Sequence, residues 1–519
     1  MKLISFKQSF IAFGVLLTLG SCDTDEKLEV KGDGVVYEEN FYRNETEAYS
    51  GLVAAYDKLG KFAGAMENAP LLFLNSASDD FYAGGGGPDD QPGLQVASNY
   101  SVSSANIPPN IWADYYKGVA RCNIMLAKLP AIPMDAAKKA RFTAEVKALR
   151  AYYYFDLVRM FKNIPLILTP IVLKEEIPLV EQSKPEVVYA QIEKDLNEAI
   201  VDLPMTLAAQ ELGRFSKGAA TALLGKVYLY DNKKAEAATQ LAKVNGDTPG
   251  GTSSYGYKLM PKFSDLWNHA NKFNTESIFE IAYTDKSNAD WGNFERGDDE
   301  GNVAAQLMGI RDYHRTDVGI SALLPDYING WGFCVVSTQL ATAMQGDPRF
   351  ASTIINTGVL RGNTSIPLDK PDPTRLITYT DSYQETGYHF IKYAAVNADI
   401  KASNPFLNFG INTYIIRLAD TYLLEAEALG GTGSRAQALL DAVRNRVGLA
   451  PVPVSLDAIY AERRLELAGE GHRWFDLVRT GQAASKLAFK GFAAGKNEAF
   501  PIPYSEFNNT KMVQNQGYN

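Results

Sequence analysis

Cysteine and histidine are scarce in this chain of 519 residues, which holds three of the first and four of the second. No two of Cys22, Cys122 and Cys334 form a Cys-x-x-Cys pair, so a disulfide scaffold, a thiol redox motif and a zinc ribbon are all excluded. Cys122 falls in a helical pattern and Cys334 in an apolar run. One disulfide between them is conceivable, but two free buried thiols are the expectation. His269, His314, His389 and His472 are scattered without a His-x-x-x-His or Glu-x-x-His spacing, which argues against zinc. Lysine and arginine form no run, and the net charge is −9, so the footprint of a nucleic-acid binder is missing. The glycines at 84–87 are not followed by Lys-Ser/Thr, which excludes a phosphate loop, and a Gly-x-Ser-x-Gly elbow is absent. Paired carboxylates for glycoside hydrolysis are defined by spatial separation, so spacing alone does not exclude them.

What is present begins at the amino terminus. Lys2 and Lys7 precede an apolar run from Phe10 to Leu19, too short to span a bilayer but suited to a signal peptide. The run ends in Leu19-Gly20-Ser21-Cys22, small residues directly before a cysteine, as lipoprotein processing requires. Residues 1–21 are therefore read as a lipoprotein signal peptide and Cys22 as the lipidated residue, several acyl chains giving stable anchorage. The polar, acidic stretch Asp23-Thr24-Asp25-Glu26-Lys27 then serves as a tether.

Apolar residues make up 46% of the chain and charged residues 21%, enough to build a large core. Helical spacing is read over residues 45–60, 111–129, 138–162 and 185–203, the last opened by Pro185 and closed before Pro204. Residues 75–110, rich in Gly, Asp, Ser and Pro, read as one long loop region. Thr221, Leu224, Gly225 and Tyr228, then Ala237 and Leu241, follow the tetratricopeptide spacing, a helix–turn–helix unit of about 34 residues. Further helices are read over 413–429, from a Ser434 cap to Val447, and from near Ser455. Residues 250–410 are irregular, with short strand-like runs such as 277–283.

Several segments resemble the SusD/RagB family of surface lipoproteins. They are Ala144 to Leu166, Arg214 to Tyr230, Gly330 to Phe350, Arg417 to Ala428, ERRLELAGEGHRWFDLVRTG from Glu462 to Gly481, and the closing Phe500-Pro501-Ile502-Pro503 with Gln514 to Tyr518. In this order they cover the mature chain. One departure is Ala468-Gly469, where an aromatic residue and then Glu are usual. The resemblance implies a mainly α fold, with tetratricopeptide-like helix pairs forming a superhelical frame and one large loop-rich insertion. Residues 22–519 are then a single domain: 22–249 and 411–519 helical, 250–410 the ligand-binding part. It also implies anchorage on the outer face of an outer membrane, a SusC-like TonB-dependent transporter as partner, and capture of glycan without catalysis. Two alternatives stay open: a peptide-capturing member of the family, and a tetratricopeptide-type scaffold for protein partners.

A glycan site needs flat rings for the C–H face of a sugar and a few polar groups for its hydroxyls. Two loop regions offer them. The first holds Asp79, Asp80, Phe81, Tyr82, Asn99 and Tyr100; the second holds Trp291, Asn293, Phe294, Arg296, Tyr313, Arg315, Trp331 and Phe333. The expected contacts are Asp79, Asp80, Tyr82, Asn99, Trp291, Phe294, Arg296, Tyr313 and Trp331. No cofactor is expected. Asp79, Asp80, Asp89 and Asp90 flank glycines and are the candidates for calcium, without the spacing of an EF-hand. Arg463, Glu466, Glu470, Arg473, Asp476 and Arg479 resemble acid/base groups, but they are read as an ion-pair network, with His472 and Trp474, that docks the last helices.

Overall fold

The structure is a computed structural model that describes residues 41–60, 69–171, 173–287, 290, 300–316, 319–367, 370, 372–401 and 405–518. Cys22 and the signal peptide lie outside the described residues, as do Trp291, Asn293, Phe294 and Arg296. No helix among the described residues is long and apolar enough to cross a membrane.

Among the described residues, eight α-helices build the first half: α1 (Glu45–Asp57), α2 (Pro70–Ala77), α3 (Pro92–Ser98), α4 (Asn110–Lys128), α5 (Ala136–Phe161), α6 (Pro185–Asp202), α7 (Lys217–Tyr230) and α8 (Lys234–Asn245). Local chemistry sets their starts. The side chains of Asn44, Asp135 and Ser216 accept from the backbone N–H groups of Glu47, Lys138 and Ala219, and Pro185 opens α6. Consecutive helices from α4 to α8 pack on one another. The paired helices α7 and α8 approach closely because position 225 is glycine: a Cβ there would lie 2.7 Å from Leu241 Cγ.

The spacing in α5 predicts one apolar stripe of Val146, Leu149, Tyr153, Leu157 and Phe161, and all five are buried. Glu145, Arg150 and Asp156 are buried as well, because α5 is enclosed by neighbouring helices. Each finds a partner: Arg150 grips Asp195 through two bonds of 2.8 Å, and Tyr115 donates to Asp156 at 2.8 Å.

The loop-rich part carries short antiparallel pairings. Strand β1 (Phe81–Gly84) pairs with β4 (Phe333–Val336), β2 (Ser277–Ile281) with β8 (Thr413–Arg417), β3 (His314–Arg315) with β6 (Ile377–Thr378), and β5 (Ile354–Asn356) with β7 (Tyr388–Phe390). Two readings of the sequence are corrected here. Residues 75–110 are not one loop, since they hold the end of α2, β1 and α3. The run at 413–429 is a strand followed by a helix, α9 (Leu418–Ala428), because Thr413 to Arg417 pairs with β2. β-branched Thr413, Ile415 and Ile416 suit the pleated conformation.

Helix α9 returns to pack on α8 and carries α10 (Gly433–Arg446), α11 (Leu456–Glu466) and α12 (Arg473–Arg479). Ser455 caps α11 through Ala458 N–H, whereas Thr432, not Ser434, precedes α10.

The departure at Gly469 has a packing reason. Its φ is +77°, and a Cβ there would lie 2.2 Å from Phe390 Cζ, so the Phe390 ring occupies the space of the missing side chain. Cys122 and Cys334 are free and buried. Burial pushes the Cys334 thiol up to about 12.

Candidate functional site

The charged residues of α11 and α12 are structural. Glu466 receives Arg417 at 2.6 Å, Arg349 at 2.9 Å and Arg446. Glu470 receives Arg417 and Lys392, both at 2.8 Å, and Glu276 joins Arg417 to Arg446. Burial alone would raise the Glu466 carboxyl; Arg446, Arg417 and Arg349 instead hold it well below the usual range. Arg463 spans Asp420 and Asp476, and burial beside Lys226 lowers His472 to about 3. Every carboxylate here is answered by cations, and the network ties β8, α9, α10, α11 and α12 together.

Asp79 and Asp80 belong to this clasp, which corrects the expectation that they meet a ligand. Asp79 receives Arg473 at 2.7 and 2.8 Å, and Asp80 receives Arg464 at 2.8 Å. Only 4% of Asp79 and none of Asp80 is exposed. Two arginines directly against these carboxylates leave them no role as calcium ligands either. Tyr313 is interior too, its hydroxyl donating to Pro325 O at 2.9 Å. Asn99 is exposed, but its side chain closes a turn by accepting from Ser101 N and Oγ at 3.0 and 2.6 Å. Tyr82 is half-buried, with Lys490 Nζ 5.5 Å from its ring centroid. Lys490 in turn donates to Ser76 O, Phe81 O and Ser98 Oγ, and burial lowers it to about 7.

Trp331 packs against the edge of the main core. It is half-buried and stacks with Phe406, centroids 6.3 Å apart and planes at 30°. Phe406 itself is 39% exposed. The β1–β4 pairing brings the loop after β1 to the same place: Gly85 N donates to Gly332 O at 2.9 Å, and Tyr383 N to Gly85 O at 2.8 Å. Asp90 turns back to accept from Gly86 N at 2.7 Å. A Cβ at Gly86 would lie 3.4 Å from the Arg311 guanidinium, and one at Gly332 3.2 Å from Arg311 Cβ. Rings of Trp331, Phe406 and Tyr383 thus share a wall with Asp90 and Arg311. The Arg311 guanidinium has no ion pair or hydrogen bond among the described residues.

The stretch 291–299, with Trp291, Phe294 and Arg296, lies outside the described residues. Its flanks meet where Thr284 N donates to Glu300 O at 2.9 Å. They are fixed to the Phe406 segment by Asn302 N donating to Phe409 O at 2.7 Å and by the bond between Ser287 Oγ and Asn408. Spacing alone missed Arg311, Tyr383 and Phe406, because the wall is assembled from four stretches far apart in the chain. The signal that existed was a large ring beside Asn-Pro or Asp-Ser, at Phe406 and Tyr383.

A sequence profile described as "SusD family" matches residues 275–518, and another, "Starch-binding associating with outer membrane", matches residues 86–229. A solved laminarin-binding SusD-like protein is 51% identical, with a TM-score of 0.87, over 92% of this chain and 100% of that one. The chain belongs to the SusD family. Surface glycan-binding protein A from Bacteroides thetaiotaomicron, solved in complex with laminarihexaose, is a SusD-family likeness at 28% identity and TM-score 0.77, covering 91% of this chain and 99% of that one. A SusD-like protein of Formosa agariphila is 25% identical over 500 residues, 91% of this chain and 90% of the relative. The helical frame with its tetratricopeptide-like pairs is that of the SusD family, whose second profile names an association with the outer membrane.

Proposed function

We propose that this SusD-family protein captures a β-glucan of the laminarin type at the cell surface and passes it to a SusC-like TonB-dependent transporter, without cleaving it. The observation that carries the reading is the wall itself: the half-buried ring of Trp331 and the partly exposed rings of Phe406 and Tyr383, beside an Arg311 guanidinium with no partner among the described residues. Rings of this kind suit the C–H faces of sugars, and the arginine and Asp90 suit their hydroxyls. The choice of laminarin is supported by the 51% identical relative named for that ligand and by the relative solved with laminarihexaose.

In this reading residues 250–410 form the ligand-binding part, with 22–249 and 411–519 as the frame. Tyr82, Trp291, Phe294 and Arg296 are further sugar contacts in this reading. Cys22 carries the acyl anchor on the outer surface of the outer membrane. The glutamates and aspartates around α11 are occupied by arginines and lysines, which supports binding rather than acid/base chemistry.

Calorimetric titration of the protein with laminarihexaose and with a mixed peptide pool tests the ligand. Saturable glycan binding without release of shorter sugars is expected. Binding of peptides alone contradicts the reading. Co-purification from the native membrane with a large barrel protein is the expected outcome for the partner.

A further inference from the structure

Beside the Trp331 wall lies a cleft of about 330 Å³ that differs from it in chemistry. It is lined by His314, Arg315, Asp326, Tyr327, Asn329 and Asn397. Tyr313 packs below, its ring edge-on to Tyr327 with centroids 5.5 Å apart. Tyr327 is only 8% exposed, yet its hydroxyl has no partner among the described residues. The side chains of His314 and Asn397 likewise have none there, and Asn329 uses its oxygen alone, accepting from Asp312 N at 2.8 Å. Arg315 and Asp326 offset each other at 3.3 Å, so the cleft is close to neutral. Donors and acceptors therefore converge with little open ring face. That pattern suits the hydroxyl-bearing edge of a sugar better than its flat face, and better than a charged or apolar ligand.

The cleft is continuous with the wall. Segments 310–313 and 329–331 run side by side, joined by the Arg311–Gly330 bridge and by Gly330 N donating to Ile310 O at 2.9 Å. Arg311 and Trp331 belong to the wall; Tyr313 and Asn329, each two residues away, line the cleft. Two residues of chain span at most about 7 Å, so the cleft opens within roughly one sugar unit of the wall.

We infer that this cleft is a further sugar subsite, which takes one or two neutral sugar units by their edges as a longer glycan leaves the Trp331 wall. The inference rests on the glycan reading above. Its test is the double variant Tyr327→Phe, Asn397→Ala in the full chain, titrated with laminaritriose and laminarihexaose. Tyr327→Phe removes only the hydroxyl that has no partner. The backbone bond from Asn397 N to Asp326 O, 2.9 Å long, stays in place. The expected result is a loss of roughly five- to tenfold in affinity for the hexaose, with triose affinity and melting temperature unchanged. A double variant that binds the hexaose as tightly as the parent overturns the subsite; if Trp331→Ala weakens the same ligand, the glycan reading survives. A parent that binds neither sugar overturns both.

Discussion

Around Glu466 and around Trp331 the protein uses the same side chains, arginine, carboxylate and large rings, in two different ways. In the clasp, Arg349, Arg417 and Arg446 converge on Glu466 within the interior, and each charge is matched. On the wall, Arg311 lies beside Asp90 and half-covered rings with its guanidinium unmatched in the described structure. A buried charge must be paired or it is costly, so the clasp is closed to ligands. An unmatched group at the surface keeps water instead, and a ligand can replace that water. Residue type alone therefore does not mark a site; saturation of the residue's partners does.

The comparison can be broken most severely at Arg417. Arg417→Ala leaves Glu466, Glu470 and Glu276 short of a cation and is expected to cost about 3–5 kcal/mol in denaturant unfolding. A loss under 1 kcal/mol would mean that the clasp is relaxed or wet.

Acid attacks the same region. The Glu466 and Glu470 carboxyls lie below their ordinary range in the folded chain, since their cations outweigh burial. The folded state thus binds fewer protons than the unfolded one. The stability these groups provide is complete above the usual glutamate range, about pH 4–5, and is lost as pH falls below it. Thermal melting from pH 7 down to pH 3 is expected to be flat and then to drop; a profile that rises on acidification contradicts the pairing.

Trp331→Ala sharpens the other side. Laminarihexaose affinity is expected to fall roughly 30-fold, about 2 kcal/mol, in calorimetry. The melting temperature should stay near that of the parent, and a large drop would place the ring in the core. The smallest effect is expected at Arg311→Ala: roughly fivefold weaker binding and no change in unfolding, because the guanidinium gives up no partner among the described residues.

Much of the frame was legible because helical signals are local. Pro185, Asp135, Ser216 and Ser455 mark starts that a single stretch of sequence discloses, and Gly225 with Leu241 marks a close helix pair. The clasp was legible as a charge network, although Asp79 and Asp80 were not placed in it. Their partners, Arg473 and Arg464, lie nearly 400 positions away, 394 and 384, and a neighbouring glycine run gave them the look of loop residues. Residues 413–417 read as helix because their apolar pattern continues into α9; pairing with β2 overrides it. Of the predicted ligand contacts, Trp331 is half-buried in the wall, Tyr313 lines the cleft from within, and Asn99 closes a turn. Arg311, Tyr383 and Phe406 come together only through the β1–β4 pairing and the turns beside it, contacts too distant in sequence for any periodicity to carry.

The division between a saturated frame and an unsaturated wall is tested most directly by hydrogen–deuterium exchange of the whole protein with and without laminarihexaose. Slower exchange is predicted over residues 82–90, 311–331 and 381–385, with α5 to α8 and the clasp unchanged. Slower exchange confined to the paired helices, with the wall unaffected, would contradict it.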